Sequence, residues 1–326
     1  MCEPLVWRAL SPKFLHATMT EVSIETVKEF FIDLQERIVG TFEELDGVGK
    51  FLKESFDSPN GGLAQPRVLT NGDLFEKAAV QFSYSVGDRL PSAATERYPN
   101  LANCPFRATA ISVIVHPRNP HVPTTHLNLR MFLVQAQELI WFFGGGFDLT
   151  PYILFSEDIR FWHEQARAAC GSDARYVELK ENCDQYFFLP HRGETRGVGG
   201  IFFDDFNVGG FDDCFKFVRT VGETFLHAYT TIVKRRAQSQ WTSEEEEWML
   251  VRRGRYAEFN LAIDRGTKYG MQSGRRIESV LASLPPRVIW PYQHDLLESA
   301  KFANLTSMLR PGINWLEIVD NSVDKS

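Results

Sequence analysis

The chain has 326 residues, 44% of them hydrophobic, which is enough for one large domain or two modest ones. Its formal net charge of −7 at pH 7 argues against nucleic acid or an anionic membrane as the main partner. No apolar run approaches the length of a membrane span. The cysteines are scattered and contain no Cys-x-x-Cys pair, a pattern typical of reduced thiols in a reducing compartment.

The N-terminal residues predict a loose extension over 1–20 and a cytoplasmic location. They contain neither the sustained apolar core of a signal peptide nor the many cations of a mitochondrial presequence. A helix is then predicted from Ser23, which can cap it, because apolar residues recur at helical spacing as far as Ile38. The Gly-, Asn- and Pro-rich residues 57–73 predict a loop, and 74–86 predict a short strand.

Two strictly alternating segments, 108–116 and 124–133, predict a central pair of strands joined by a proline-rich turn. One face of the first strand carries Ser112 and His116, and the other face is apolar. The second strand carries polar residues on one face, namely His126, Asn128 and Arg130. Strands with one apolar face and one such polar face predict a sheet that covers a core on one side and lines a cleft on the other.

Further along, an apolar strand is predicted at 141–143, directly before a triglycine. Helices are predicted to begin at Ser156 and at Asp212 or Asp213, and another helix between them is predicted to end near Phe188. An acidic helix start at 243–246 predicts a further helix. From Tyr256 the alternation of polar and apolar residues returns and predicts another strand. There is no internal repeat or linker, so residues 21–326 are predicted to form one domain.

The triglycine Gly144–Gly146 has two interpretations. A nucleotide loop would require the dinucleotide or P-loop spacing, whereas here Phe-Asp-Leu-Thr-Pro follows the glycines. The favoured interpretation is that the glycines allow a tight turn or the close approach of a bulky ligand. Asp148 would then lie at a strand end and face a cleft, or it would be an ordinary turn acid.

Two further groups of residues are open to a functional or a structural interpretation. His116, His126, His163 and His191 could bind a metal, but they lack the spacing of a helical zinc motif and are also typical of hydrogen-bonded scaffold residues. The Arg- and Gly-rich stretch 264–276 suits a ligand with carboxylates, or it is a surface salt-bridge loop. Together these patterns favour an enzyme or binder for a large, anionic, partly apolar small molecule.

Four long runs give the chain a resemblance to the oxygen-dependent coproporphyrinogen III oxidases: VIVHPRNPHVPTTHLNLR, WFFGGGFDLTPY, HRGETRGVGGIFFDDF, and RRGRYAEFNLAIDRGTKYG with ESVLASLPPRVIW. The resemblance spans about residues 23–292. It implies an α+β fold with a large, flat antiparallel sheet between layers of helices, and a homodimer formed through Tyr256–Pro291. It also implies oxidative decarboxylation of two propionates to vinyls, which consumes dioxygen and gives protoporphyrinogen IX and carbon dioxide.

The same resemblance implies roles for single residues. His126 matches the proton donor, and Asp148, Asp264 and Arg265 match positions proposed to hold pyrrole nitrogens and a propionate. The residues that match substrate-contacting positions are Ser112, Asn128, Leu129, Arg130, Gly274, Arg275 and Arg276. Arg275 departs from the family, which usually has glycine there. Desolvation of Asp148 or Asp264 would raise the pKa and suit a general base.

The resemblance implies no organic cofactor. Some bacterial members are described with a divalent cation on four histidines, matched here by His116, His126, His163 and His191. Other members need no metal, so both possibilities stay open at this point. A non-catalytic tetrapyrrole carrier on the same scaffold is the alternative function; it would need the arginines but not His126, Asp148 or Asp264.

Overall fold

The computed structural model describes residues 22–90, 99–272, 276–292 and 299–318. The predicted extension over 1–20 and two of the predicted site residues, Gly274 and Arg275, lie outside the described residues. Of the described helices, none is both long enough and apolar enough to cross a bilayer.

The centre of the fold is an eight-stranded antiparallel sheet, with strand order β1-β3-β4-β5-β6-β7-β10 and β2 paired with β3. The strands are β1 (Leu52–Lys53), β2 (Phe56–Asp57), β3 (Leu63–Thr70), β4 (Phe75–Gly87), β5 (Phe106–Pro117), β6 (Thr124–Gln135), β7 (Leu139–Thr150) and β10 (Gly199–Phe206). A separate two-stranded sheet pairs β8 (Phe188–Leu189) with β9 (Glu194–Thr195).

Helices complete the predicted α+β fold, which is confirmed. They are α1 (Ile24–Asp46), α2 (Ser156–Cys170), α3 (Asp173–Tyr186), α4 (Phe211–Arg236), α5 (Ser243–Glu258), a π-helix (Phe259–Ile263), α6 (Arg265–Gln272), α7 (Ile277–Leu281) and α8 (Ala300–Thr306). Short 3-10 turns occur at Pro99–Leu101 and Trp315–Glu317. The Ser23 hydroxyl accepts from the backbone N–H of Thr26 and caps α1, as predicted.

Because side chains alternate along each strand, one face of the sheet is apolar and the other is polar. On the apolar face, α1 and α4 pack against β4–β7 and bury residues such as Val113, Leu127 and Leu129. On the polar face, Ser112 and Asn128 are directly paired across β5 and β6. The π-helix, α6 and α7 lie over this polar face, so a cavity forms between them and the sheet.

The loop predicted at 57–73 was wrong, because these residues contain β3. The strand predicted at 74–86 is confirmed as β4, although at 13 residues it is not short. The turn-forming residues flank β3 rather than interrupt it: Gly61 and Asn71 have φ of 86° and 57°. The Asp46 carboxylate orders the second turn by accepting from the backbone N–H groups of Asp73, Leu74 and Phe75.

The strand predicted from Tyr256 is helical instead: α5 continues to Glu258 and the π-helix follows directly. Tyr256, Ala257, Phe259 and Asn260 are all buried. A helix buried on more than one side puts apolar residues at irregular spacing, and over this short stretch that spacing imitates strand alternation.

The triglycine lies within β7 and does not turn the chain. Gly145 and Gly146 have φ of 153° and 142°, a region that side chains rarely adopt. A Cβ atom on Gly145 would lie 2.2 Å from the Asn128 carbonyl oxygen, and one on Gly146 would lie 2.0 Å from that of Ile201. The glycines therefore allow close approach of neighbouring strands, and the prediction of a tight turn was wrong.

Candidate active site

A cavity of about 790 Å³ opens on the polar face of the sheet. Strands β4, β5 and β6 form its floor, and residues of the π-helix, α6 and α7 form its sides. The predicted site residues that line it are Ser112, His126, Asn128, Arg130, Asp264, Arg265 and Arg276. Residues that are separated by more than 150 positions in the sequence thus meet around one space.

Leu129 and Asp148 do not line this cavity. The Leu129 side chain is fully buried in the core on the apolar face, where strand alternation places it. Asp148 is 1% exposed and lies behind His126, so the prediction that its carboxylate faces the cleft was wrong.

His126, Asp148 and Arg196 form a hydrogen-bonded chain that leads away from the cavity. Asp148 Oδ1 lies 2.9 Å from His126 Nδ1, and its two oxygens lie 2.9 and 2.7 Å from Arg196 Nη2. Burial acts to raise the pKa of Asp148, but the Arg196 charge and the His126 hydrogen bond outweigh it and lower the pKa below its usual value. The predicted raised pKa of this carboxyl was therefore wrong.

An ionised Asp148 can only accept hydrogen bonds, and this fixes the state of its neighbour. The Nδ1–H of His126 donates to Asp148, which leaves Nε2 as the ring nitrogen that can exchange a proton. The ring is one-fifth exposed and lines the cavity. His126 therefore has the orientation of an acid–base group held by a carboxylate.

The sequence alone did not single out Arg196. Its guanidinium is buried among three aromatic rings, 4.2 Å from the centroid of Phe187, 4.3 Å from Tyr256 and 4.7 Å from Phe259. Cation–π contacts with these rings replace part of the lost hydration. The only signal was its place in the glycine-studded basic loop before β10.

Two arginines of the cavity share one carboxylate. Asp204 Oδ1 accepts from Arg130 Nη2 at 2.7 Å, and Asp204 Oδ2 accepts from Arg265 Nη2 at 3.0 Å. The pairing of β10 with β7 shifts register between Phe203 and Phe206, and Asp205 has a φ of 52°. This bulge turns Asp204 and Asp205 toward the cavity, a common use of β-bulges beside functional sites.

Arg130 is held in place by its surroundings as well as by Asp204. Its Nη1 donates to Asn128 Oδ1 at 2.7 Å, and its guanidinium lies so close to Gly144 that an added Cβ atom would be 2.8 Å away. Gly144, the first residue of the triglycine, thus makes room for the Arg130 side chain. The fork of donors is already oriented before any ligand binds.

Both carboxylate oxygens of Asp264 accept hydrogen bonds. One accepts from the Tyr186 hydroxyl at 2.9 Å and the other from the backbone N–H of Thr267 at 2.6 Å, at the start of α6. Burial raises the pKa of Tyr186, and the adjacent Asp264 charge raises it further. Tyr186 stacks on Phe202 with ring centroids 4.3 Å apart, so an aromatic surface adjoins these polar groups.

Arg276 lies at another edge of the cavity. It donates to Glu54 at 2.6 Å, and its guanidinium lies 4.9 Å from the centroid of the Phe56 ring. Cations from β6, α6 and the start of α7 are therefore distributed around one cavity whose lining includes nine Phe and Tyr residues. Such an arrangement suits a broad apolar molecule that carries carboxylates at its edge.

The comparison with known families agrees with this geometry. A family model described as coproporphyrinogen III oxidase matches residues 26–315. The chain belongs to the coproporphyrinogen III oxidase family. Members are oxidoreductases that carry out an oxidative decarboxylation in haem biosynthesis, and this domain covers most of the chain.

The four histidines of the possible cation site do not fit a shared metal. Within the described part of the chain, no three His, Cys, Asp or Glu residues form a group that could hold one. Both ring nitrogens of His163 are occupied, by Tyr176 at 2.9 Å and by the Val198 carbonyl at 3.1 Å. His191 pairs with Glu258 at 2.8 Å. Each imidazole is thus held by protein partners of its own.

Proposed function

We propose that this cavity binds coproporphyrinogen III and that the protein converts two of its propionates to vinyl groups with dioxygen as co-substrate. For each propionate, the carboxylate leaves as carbon dioxide and the β-carbon loses a hydrogen together with two electrons. Dioxygen accepts these two electrons, that proton and one further proton, and leaves as hydrogen peroxide. The observation that carries the proposal is the placement of Arg130, Arg265 and Arg276 around one aromatic-walled cavity that also contains His126. A reduced tetrapyrrole has the matching form, an apolar macrocycle with carboxylates at its edge.

The residues divide this task into binding and proton transfer. The three arginines hold propionates through charge-assisted hydrogen bonds, and Asp204 fixes the position of Arg130 relative to Arg265. His126 exchanges the proton through Nε2, and the ionised Asp148 keeps its ring oriented. Asp264 faces the pyrrole N–H groups, while Ser112 and Asn128 contact the macrocycle from the floor. Gly274–Arg276 contribute the remaining edge contact, as the resemblance implies.

We further propose that the reaction needs no organic cofactor. The porphyrinogen is electron-rich, so loss of a pyrrole proton prepares it for direct reaction with dioxygen. The protein then has to bind, orient and deprotonate the substrate and to keep the reacting carbon in a fixed position.

The active form is proposed to be a homodimer that uses Tyr256–Pro291, and the location is proposed to be the cytoplasm. Support for the dimer comes from large apolar side chains that this segment exposes, namely Leu261, Met271, Ile277 and Trp290. Phe259 of the same segment is buried inside the protomer. Residues 21–326 are proposed to act as one domain, since a single apolar cluster includes residues from Ile24 to Ile318.

A tetrapyrrole carrier is the competing function. A carrier would use the arginines and the aromatic surface, but it would have no need of an oriented imidazole. The buried chain of His126, Asp148 and Arg196 favours the enzyme, because burying a charged pair costs free energy that binding alone does not require.

The deciding experiment is turnover of coproporphyrinogen III by chelator-treated protein, with and without oxygen. We expect protoporphyrinogen IX to form only in air, and to form there with no addition of metal or S-adenosylmethionine. The products are identified as porphyrins after oxidation. Turnover under nitrogen would contradict the oxygen requirement. Binding without turnover under either condition would favour the carrier.

A further inference from the structure

On one side of the cavity, side chains of the sheet form four hydrogen bonds to backbone carbonyl groups. We call residues 276–284, which comprise α7 and the turn after it, the wall segment. Lys77 Nζ donates to the carbonyls of Leu281 at 3.3 Å and Leu284 at 3.0 Å. Gln81 Nε2 donates to Ser279 at 2.8 Å, and His116 Nε2 lies 3.0 Å from the Ser283 carbonyl oxygen.

Two of these bonds, those to the carbonyls of Ser279 and Leu281, meet a need that α7 cannot meet by itself. The last carbonyls of a helix have no intrahelical partner, and in a five-residue helix they are most of the carbonyls. The donors come from β4 and β5, where Lys77 is paired directly with His116. The ammonium group of Lys77 also lies at the negative end of the α7 dipole. The sheet therefore supplies the C-terminal cap of α7.

The hydrogen-bond partners of His116 define which of its nitrogens carries the proton. A carbonyl can only accept, so Nε2 carries the hydrogen that is donated to Ser283, and Nδ1 accepts from the Thr124 hydroxyl at 3.0 Å. Thr124 in turn accepts from the Tyr152 hydroxyl at 2.5 Å. The ring is 1% exposed, and both of its nitrogens are used. It has no lone pair left for a metal ion.

We propose that His116 and Lys77 are positioning residues for substrate binding: they hold the wall segment in place and thereby set the position of Arg276. This inference rests on the proposed function for the role of Arg276, whereas the hold on the wall segment is independent of it. His116 is then assigned to the scaffold of the cavity and not to the divalent cation that the family resemblance offers for it. Neither His116 nor Lys77 lines the cavity itself.

The test uses paired variants that remove or keep one donor. His116→Phe removes the donor to Ser283, whereas His116→Gln keeps an N–H donor that can occupy the place of Nε2. Lys77→Met replaces the ammonium group by an apolar side chain of similar length, and it gives a second reading should His116→Phe fold poorly. The matched controls are His227→Gln and Lys216→Met, both on the exposed surface of α4.

The first readout needs no substrate: hydrogen exchange of the amides at 277–284 in the free protein. We expect faster exchange there in His116→Phe and Lys77→Met, with exchange near that of the wild type in His116→Gln and in both controls. Unchanged exchange in both donor-removing variants would overturn the proposed hold on the wall segment, whatever the function of the protein.

The second readout is steady-state kinetics with coproporphyrinogen III. We expect KM to rise about tenfold in His116→Phe and Lys77→Met with kcat nearly unchanged, as for the loss of a positioning hydrogen bond. His116→Gln should restore KM. A metal role predicts the opposite: His116→Gln would be as inactive as His116→Phe, and a chelator would reproduce the loss in the wild type. Changed exchange with an unchanged KM would mean that Arg276 does not bind substrate.

Discussion

The carboxylate of Asp148 lies behind His126, at a depth that a substrate in the cavity cannot reach. Its contact with Arg196 lowers its pKa, so it is a poor base at neutral pH. The accessible nitrogen belongs to His126. Both residues were predicted to be catalytic, but they differ in access, because His126 lines the cavity and Asp148 is buried behind it.

Asp148→Asn tests this separation. The amide cannot hold the Nδ1–H of His126 as a carboxylate does, so we expect kcat to fall at least about 10²-fold while substrate affinity measured under nitrogen changes little. Asp158→Asn is the matched control, because Asp158 is also a buried partner of arginines but lies away from the cavity. Loss of substrate binding in Asp148→Asn with normal turnover of the bound substrate would contradict the assignment.

The Asp148→Asn variant also tests how the free energy of unfolding depends on pH. Because the pKa of Asp148 is lower in the folded than in the unfolded chain, the charge pair stabilises the fold above the unfolded pKa of about 4, and this contribution is lost as pH falls through the folded pKa. Asp148→Asn leaves Arg196 unpaired and should cost about 3–5 kcal/mol at pH 7. In denaturant unfolding, we expect this difference to stay constant from about pH 5 to pH 7 and to shrink below about pH 4. A difference that grew toward acid pH would show that the pKa is raised.

Arg130 should act on binding rather than on chemistry. Its fork contacts Asn128 and Asp204 at the same time, and Lys keeps the charge but cannot make both contacts. We expect Arg130→Ala to weaken substrate binding by about 1.5–3 kcal/mol and Arg130→Lys to restore only part of that loss. Arg219→Lys, on the surface of α4, serves as the control in binding assays under nitrogen. Equal affinities of Arg130→Lys and the wild type would indicate that only the charge matters.

At the scale of elements, alternation in the sequence was a reliable guide where one face of a strand is buried and the other is polar. It gave β5 and β6, and with them the shared face of Ser112, His126 and Asn128. It failed around Tyr256, where a helix is buried on several sides. Arg196 and Asp204 could not be predicted because their partners come from strands and helices far away in the sequence, and only the fold brings them together.

The triglycine offers a sharp test of how β7 fits between its neighbours. Gly145→Ala would place a Cβ atom 2.2 Å from a backbone oxygen in a backbone conformation that alanine rarely adopts. Backbone atoms of the central sheet cannot move aside, so we expect loss of most soluble folded protein. Gly40→Ala in α1 is the matched control, because nothing lies within 4 Å of the added atom. It should stabilise the fold by about 0.5–1 kcal/mol in thermal or denaturant unfolding. A well-folded Gly145→Ala protein would contradict the close strand contact.

For the whole molecule, the negative net charge opposes the binding of a substrate that carries carboxylates. A formal charge of −7 disfavours the approach of a substrate with several carboxylates, and local arginines have to compensate for it. All three arginines are themselves paired with acids, Arg130 and Arg265 with Asp204, and Arg276 with Glu54. Such pairing keeps the guanidinium groups oriented, and the substrate carboxylates then compete with these acids.

The assembly prediction belongs to this scale. Leu261 and Ile277 are each more than two-fifths exposed, on the segment proposed for the dimer interface. A charged side chain buried between two protomers would be strongly unfavourable, so we expect the double variant Leu261→Glu with Ile277→Glu to sediment as a monomer at micromolar concentration, while the wild type sediments as a dimer. Val208→Glu is the control, since Val208 is 73% exposed but lies outside this segment.

The activity of that monomer tells whether the interface supports the site. Leu261 and Ile277 flank the elements that carry Arg265 and Arg276, so separating the protomers should loosen both arginines and raise KM more than it lowers kcat. Activity measured against protein concentration distinguishes this effect from local damage: a weakened dimer regains its KM when concentrated, whereas a damaged cavity does not. A dimeric double variant, or a fully active wild-type monomer, would place the interface elsewhere.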